Sequence, residues 1–299
     1  MRSRAFAPAR GTSRRCYAIA ASTSMRERAA YPGNFIGSMF TYALFVFIFS
    51  RVWAGAYAGA SEIAGYTMRM AVWYFIVAEV PSFGFGRFFW TLSRDMKNGQ
   101  IAYLLARPYD YVGYNFAEKY GGSLVEAGVI LVEGLLVGTL LVGPPPLAGG
   151  SLSLLGGSPS LLGGSPSLLE GVAAEASRAL LVGLSLLLAG ALNYFLQASI
   201  AMTAFWLEEN EAFFWIFQKL ALVVGTLIPI EFLPPVAARL ARLTPFPYLS
   251  YAPARIMVAY SPGEAWSLVA VQALWLVLAV ALARAVFSFG SRRLSVNGG

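Results

Sequence analysis

Six mostly apolar stretches, each at least roughly 20 residues long, set the terms for this chain: 34–55, 63–84, 117–142, 173–206, 212–231 and 264–288. Wound as helices, apolar runs of that length match the hydrocarbon core of a bilayer. Unalternating runs such as residues 43–49 and 180–188 exclude a membrane barrel, whose strands alternate with a period of two. Only 12% of the 299 residues are charged and 58% are hydrophobic, whereas soluble domains carry about 25% and about 45–50%. So little charge cannot clothe a water-facing surface. The expected fold is all-α, a polytopic membrane protein with six transmembrane helices, the fourth long enough to tilt or to project.

Orientation follows from the basic residues. With the N-terminus in the cytoplasm, that side carries Arg2, Arg4, Arg10, Arg14, Arg15, Arg26 and Arg28, then Arg87, Arg94, Lys97, Arg107 and Lys119 between spans two and three, and finally Arg292 and Arg293. The opposite loops carry only Arg239, Arg242 and Arg255. Both termini are therefore expected in the cytoplasm. A basic run beside a hydrophobic domain meets anionic lipid headgroups, and no nucleic acid is expected. The first 24 residues also resemble a transit peptide in being rich in Arg, Ser and Ala and free of acids, and Met25 offers an alternative start. The preferred reading leaves 1–11 disordered and makes 12–30 an interfacial amphipathic helix. A six-helix transmembrane domain then fills 31–290, and 291–299 forms a cytoplasmic tail.

The loops differ in character. Residues 143–170 contain three consecutive prolines and SLLGGSP twice, at 153–159 and 160–166, which predicts an irregular external linker. In the cytoplasmic segment 86–115, Phe88, Phe89, Leu92 and Met96 recur at helical spacing opposite Arg87, Arg94 and Asp95. Asn98-Gly99 stops that helix, and a second short piece ends at Arg107-Pro108. Spacing alone fits a connector or a docking element equally. Segment 229–253 is broken by Pro229, Pro234, Pro245 and Pro247 and carries Glu231, which suggests short re-entrant or interfacial helices.

Inside the spans stand Arg69, Glu79, Glu126, Glu133, Arg178 and Lys219, each costing about 2.5–3.5 kcal/mol at mid-membrane unless partnered or hydrated. Asn193 and Gln197 share a face of span four. Counting inward from the outer boundary predicts that Glu133 pairs with Arg69 or Arg178. As a set, Arg69, Glu126, Glu133, Arg178, Asn193 and Gln197 read as a polar path or as interhelical glue.

The sequence holds no histidine, one cysteine and no GxxxxGK[ST]. Histidine-based catalysis, histidine metal sites and a Walker A nucleotide site in this chain are thereby excluded. No catalytic residue, bound cofactor or metal is expected.

The run NGQIAYLLARPYDYVGY at 98–114, preceded by GYTMRMAVWYFIVAE at 65–79, resembles the membrane subunit of type-2 ABC exporters, and in particular bacterial permeases whose inner loop carries IAYxLxRPYxY. GTLIPIEFLPP at 225–235 and LTPFPYLSYAP at 243–253 are similar to the proline-rich pattern these permeases carry after span five. The resemblance implies a non-catalytic permease of a bacterial-type inner membrane, with an N-terminal elbow helix. It implies pairing with a second permease, of the same or a different chain, and with a dimer of ATPase subunits that bind ATP and Mg. It further implies that Arg94, Asp95, Lys97, Asn98, Gly99, Ile101, Arg107 and Pro108 meet the ATPase, and that Pro229, Glu231, Pro234, Pro245 and Pro247 shape an external cap. The rival readings are an ATP-independent channel or secondary carrier, and a non-transporting membrane scaffold.

Overall fold

The structure, a computed structural model, describes residues 10–105, 107, 109–146 and 168–294. It is built from helices: α1 (Arg10–Ala30), α2 (Ile36–Ala56), α3 (Met68–Gly84), α4 (Phe88–Lys97), α5 (Gln100–Leu105), α6 (Tyr111–Val142), α7 (Leu168–Ala201), α8 (Glu211–Ala221), α9 (Pro235–Arg242), α10 (Pro247–Val258) and α11 (Pro262–Leu294). The helix expected to begin at 12 starts at Arg10, and α11 carries the expected tail on to Leu294. Most of the disordered N-terminal segment and of the 143–170 linker lies outside the described residues, as do the last five residues of the chain.

Among the described residues, four helices are long and apolar enough to cross a membrane: Ile36–Ala56, Tyr111–Val142, Gly171–Phe205 and Pro262–Arg292. The two other expected spans take a different form. Where span two is expected to begin, a two-stranded hairpin pairs Glu62–Ile63 with Tyr66–Thr67. Its turn residues Ala64 and Gly65 both have positive φ, the geometry that matches strand twist in a two-residue turn. Thr67 then caps α3 by accepting the Met70 amide at 3.3 Å, so only 17 residues remain for the helix, about 26 Å. The segment expected as span five is α8 followed by a widened turn at Leu222–Thr226, where the Leu227 amide reaches back five residues to Leu222.

From Ala71 to Ala78 α3 is apolar around its whole circumference, and such a helix belongs in the interior. Residues 71–81 are all buried, with α2, α6 and α10 packed around them. Glycines allow this close approach: a Cβ on Gly84 would enter the backbone of Ala127 in α6, and one on Gly138 would strike Ile76 and Trp73. The core divides into one cluster around Trp73, Tyr74 and Tyr251 and another around Phe89, Tyr194 and Phe214.

α1 packs lengthwise along the first half of α6 in the most extensive helix contact among the described residues. The Asp110 amide donates to the Tyr17 hydroxyl at 3.1 Å, Ala21 and Ser24 rest on Gly121 and Gly122, and Arg28 pairs with Glu126 at 3.7 Å.

A leucine at Gly84 overpacks the α3–α6 contact, at a cost of about 1–3 kcal/mol or more. Thermal unfolding of the purified chain is expected to show a lowered Tm for Gly84→Leu. Gly128→Leu, on an open face of the same helix pair, is expected to unfold like the wild type.

Candidate functional site

A cavity of about 550 Å³ lies between α2 and α8, with α3, α7 and α10 behind it. That volume falls among small-molecule sites, which run from about 300 to 1,000 Å³. Its polar wall includes Glu79, Ser82, Asn193, Gln197, Gln218 and Lys219, and its aromatic wall Phe45, Phe83, Phe85, Trp215 and Phe217. Glu79 is only 2% exposed because it projects from the buried α3. One of its carboxylate oxygens is buried without a hydrogen-bond partner. Arg87 and Lys219 stand on exposed positions at the cavity's edge.

The cavity is joined to α4 by hydrogen bonds. Gln197 donates through Nε2 to Asn193 Oδ1 at 2.9 Å, and its Oε1 accepts the Phe89 amide at 3.1 Å. Phe89 lies in the first turn of α4, where amides have no acceptor within their own helix, and Arg87 before it offers no side-chain cap. α7 thus supplies the cap that the sequence of α4 lacks. Asn210, fully buried, makes a second tie: Oδ1 accepts Ser93 Oγ at 3.1 Å, while Nδ2 donates to the carbonyls of Ala201 and Ile200 at 3.0 and 3.2 Å. Phe89 also stacks on Phe214 of α8, with ring centroids 4.5 Å apart.

The outward edge of α4 is polar. Arg94, Lys97, Asn98 and Gly99 are exposed, and Gly99 ends the helix with φ +69°, a value that suits a residue lacking Cβ. Asp95 is half-buried. Burial raises its carboxyl above the ordinary range, opposed by the Tyr111 hydroxyl that donates to it at 3.2 Å. Ile101 is buried beneath the α4–α5 turn. Arg107 donates to Tyr109 Oη at 2.9 Å and to Tyr103 Oη at 3.2 Å, leaving Tyr103 67% exposed. Pro108 lies outside the described residues.

Of the six residues read as a polar path, only Asn193 and Gln197 line the cavity. Glu126 holds Arg28 and accepts a long hydrogen bond from Ser38 at 3.5 Å. The expected pairing of Glu133 with Arg69 or Arg178 does not form. Arg178 pairs with Glu175, three residues away, at 2.6 Å and donates to the Met257 and Pro146 carbonyls, while Arg69 donates to the Pro144 carbonyl. Equal depth in a bilayer says nothing about which face of a helix a residue occupies, and nearer acceptors took both guanidinium groups. Glu133 lies in a separate apolar groove on α6.

At the α9 end, prolines open short helical elements rather than interrupting them. Pro229 precedes the turn Ile230–Phe232, Pro234 precedes α9, Pro245 lies in the turn before α10, and Pro247 is the first residue of α10. Glu231 gathers them: it accepts Tyr251 Oη at 2.6 Å and Tyr66 Oη at 3.1 Å and lies 3.9 Å from Arg242. Arg255 binds Glu264 through two nitrogens and donates to Tyr66 Oη at 2.9 Å. The widened turn after α8 is satisfied from outside, Tyr74 Oη donating to the Gly225 carbonyl at 2.6 Å and Thr226 bonding Ser250 at 2.9 Å.

Several of these residues escape a reading by sequence. Asn210 sits among Glu208, Glu209 and Glu211 and looks like part of a solvated turn. Gln272, fully buried, ties α11 to the Ser185 and Tyr248 carbonyls at 2.9 and 2.7 Å; a lone amide in an apolar span was its only signal.

The family model described as ABC-2 family transporter protein matches residues 168–298, from the start of α7 to the end of the described chain and beyond. The match takes in the proline-rich segment and leaves out the 98–114 motif. It supports a type-2 ABC permease, and with the four apolar helices it supports a multi-pass membrane protein. No curated protein and no solved structure matches.

Removing the amide of Gln197 leaves the Phe89 N–H without its acceptor, which costs about 1–3 kcal/mol. Gln197→Ala and Asn210→Ala are each expected to speed amide hydrogen exchange across residues 88–97, with the α3–α6 contact unchanged.

Proposed function

We propose that this chain is the permease subunit of an ATP-driven ABC exporter in a bacterial-type inner membrane. It crosses six times with both termini in the cytoplasm, α3 and the interrupted α8 completing the spans and α1 serving as the elbow helix. A second permease, the same chain or another, completes the path, and a separate ATPase dimer with ATP and Mg drives it. The observation that carries this reading is the double role of Gln197, which lines the cavity and caps α4 in one side chain. A push on Arg94, Asp95, Lys97 or the 98–101 turn is delivered through α4 to Phe89, and from there to α7 and α8 around the cavity. Tyr103, held outward by Arg107, adds an aromatic anchor to that docking edge, in keeping with the enrichment of Tyr and Arg at interface hot spots. The Glu231 and Arg255 networks serve as the external cap, holding its short helices against α3 and α11.

Mild-detergent capture of the chain from its native membrane, followed by mass spectrometry, is expected to recover a Walker A-bearing ATPase. Combined Arg94→Glu and Lys97→Glu is expected to cut that recovery about tenfold with insertion unchanged, and Tyr103→Ala to weaken it. Recovery of the folded chain with no ATPase, or gradient-driven flux without ATP, would reject this reading in favour of a carrier or channel.

A further inference from the structure

The cavity carries a specific chemistry in its two walls. Five aromatic rings contribute faces or edges of low polarity, and a single carboxylate, Glu79, sits among them almost wholly withdrawn from water. One carboxylate oxygen has no donor, and among the described residues no ion pair joins Glu79 to Arg87 or Lys219. A buried polar atom left without a partner is costly, and an ionisable side chain at such a place in a membrane protein marks a functional position. What this oxygen lacks is a cation or a donor arriving from the cavity. Aromatic faces add their own attraction for positive charge once water is displaced.

Arg87 and Lys219 give the cavity a formal surplus of positive charge, and this has to be weighed. Both are exposed at the edge, where high dielectric and salt weaken their field. Glu79 lies within, where the same charge acts more strongly at the same distance. The inner carboxylate therefore decides the sign of what is held at the back of the cavity, and the edge cations act on whatever polar group trails outward.

We propose that the cavity takes a hydrophobic organic cation, with Glu79 as its counter-charge and Phe45, Phe83, Phe85, Trp215 and Phe217 as its walls. The assignment deepens the permease reading and rests on it for the claim that the bound molecule is a transported one.

Tetraphenylphosphonium and tetraphenylborate have the same shape and opposite charge, so they isolate the sign of the site. Equilibrium dialysis of the full chain in lipid nanodiscs, referenced to empty nanodiscs, is expected to show phosphonium bound at least about tenfold more tightly than borate. Glu79→Gln is expected to abolish that preference, and Lys219→Gln to preserve or sharpen it. Equal binding of the two probes by the wild type overturns the proposal, as does the absence of binding or a phosphonium affinity unchanged in Glu79→Gln. Tighter borate binding that is lost in Lys219→Gln overturns it in favour of an anion site. Should Glu79→Gln not fold, the wild-type preference and its reduction in Phe45→Leu provide the same decision. No ATPase enters this assay. Cation binding by a chain that captures no ATPase keeps the site and rejects the permease, whereas ATPase capture without cation binding rejects the site alone.

Discussion

A helix that starts without its own capping side chain must find an acceptor elsewhere, and at α4 that requirement organises half the molecule. The amide of Phe89 is satisfied by Gln197, so α7, passing beside α4, steadies its start. Gln197 in turn is held by Asn193 one turn away, and Phe89, once fixed, stacks on Phe214. Asn210 repeats the arrangement at Ser93. In a low-dielectric interior each of these bonds is costly to leave unmade. The result is that hydrogen bonds fasten α4 to the end of α7, with a polar exposed edge on one side and a cavity on the other.

The same requirement explains the irregular backbone at the opposite end. Between Leu222 and α9 the chain leaves helical geometry, and its freed groups are taken up by Tyr74, Ser250 and local turns. Irregular structure at membrane depth survives only where protein supplies what water cannot. Here the suppliers are the buried helix α3, through Tyr74, and α10, through Ser250.

The long apolar helices were legible from hydropathy, because length and absence of charge are one-dimensional properties. The helix at 88–97 was legible too, since Phe88, Phe89, Leu92 and Met96 repeat at the helical period and Gly99 marks its stop. The start of α3 was less so: a hairpin of two residues per strand leaves almost no periodic signal, and Ala64-Gly65 is a weak turn signature. Polar contacts were legible only as positions. Glu79 and Lys219 stood out as charged residues within spans, yet nothing in the sequence says that they face one cavity. Arg178 shows the limit most plainly, for the carboxylate it pairs with is three residues along its own helix rather than across the bundle. Asn210 and Gln272 depend on which carbonyl of another helix comes opposite, and that is decided by the packing of the whole bundle.

The glycines set the mechanics of the bundle. Tyr42 and Ile76 fill the notch at Gly134, Phe85 the notch at Gly190, and Phe205 the notch at Gly290. Joints of this kind are keyed, and sliding one helix along its neighbour would mean lifting a large side chain out of its recess. α8 has no glycine between Glu211 and Ala221 and meets its neighbours through rings, Phe214 stacked on Phe89 and Phe217 tilted against Phe246. A ring resting against a ring has no recess to be lifted out of, so these contacts resist sliding less than a key in its slot. The wall of the cavity that carries Trp215 and Lys219 is consequently the compliant one, and the wall that carries Glu79 is the anvil against which it moves.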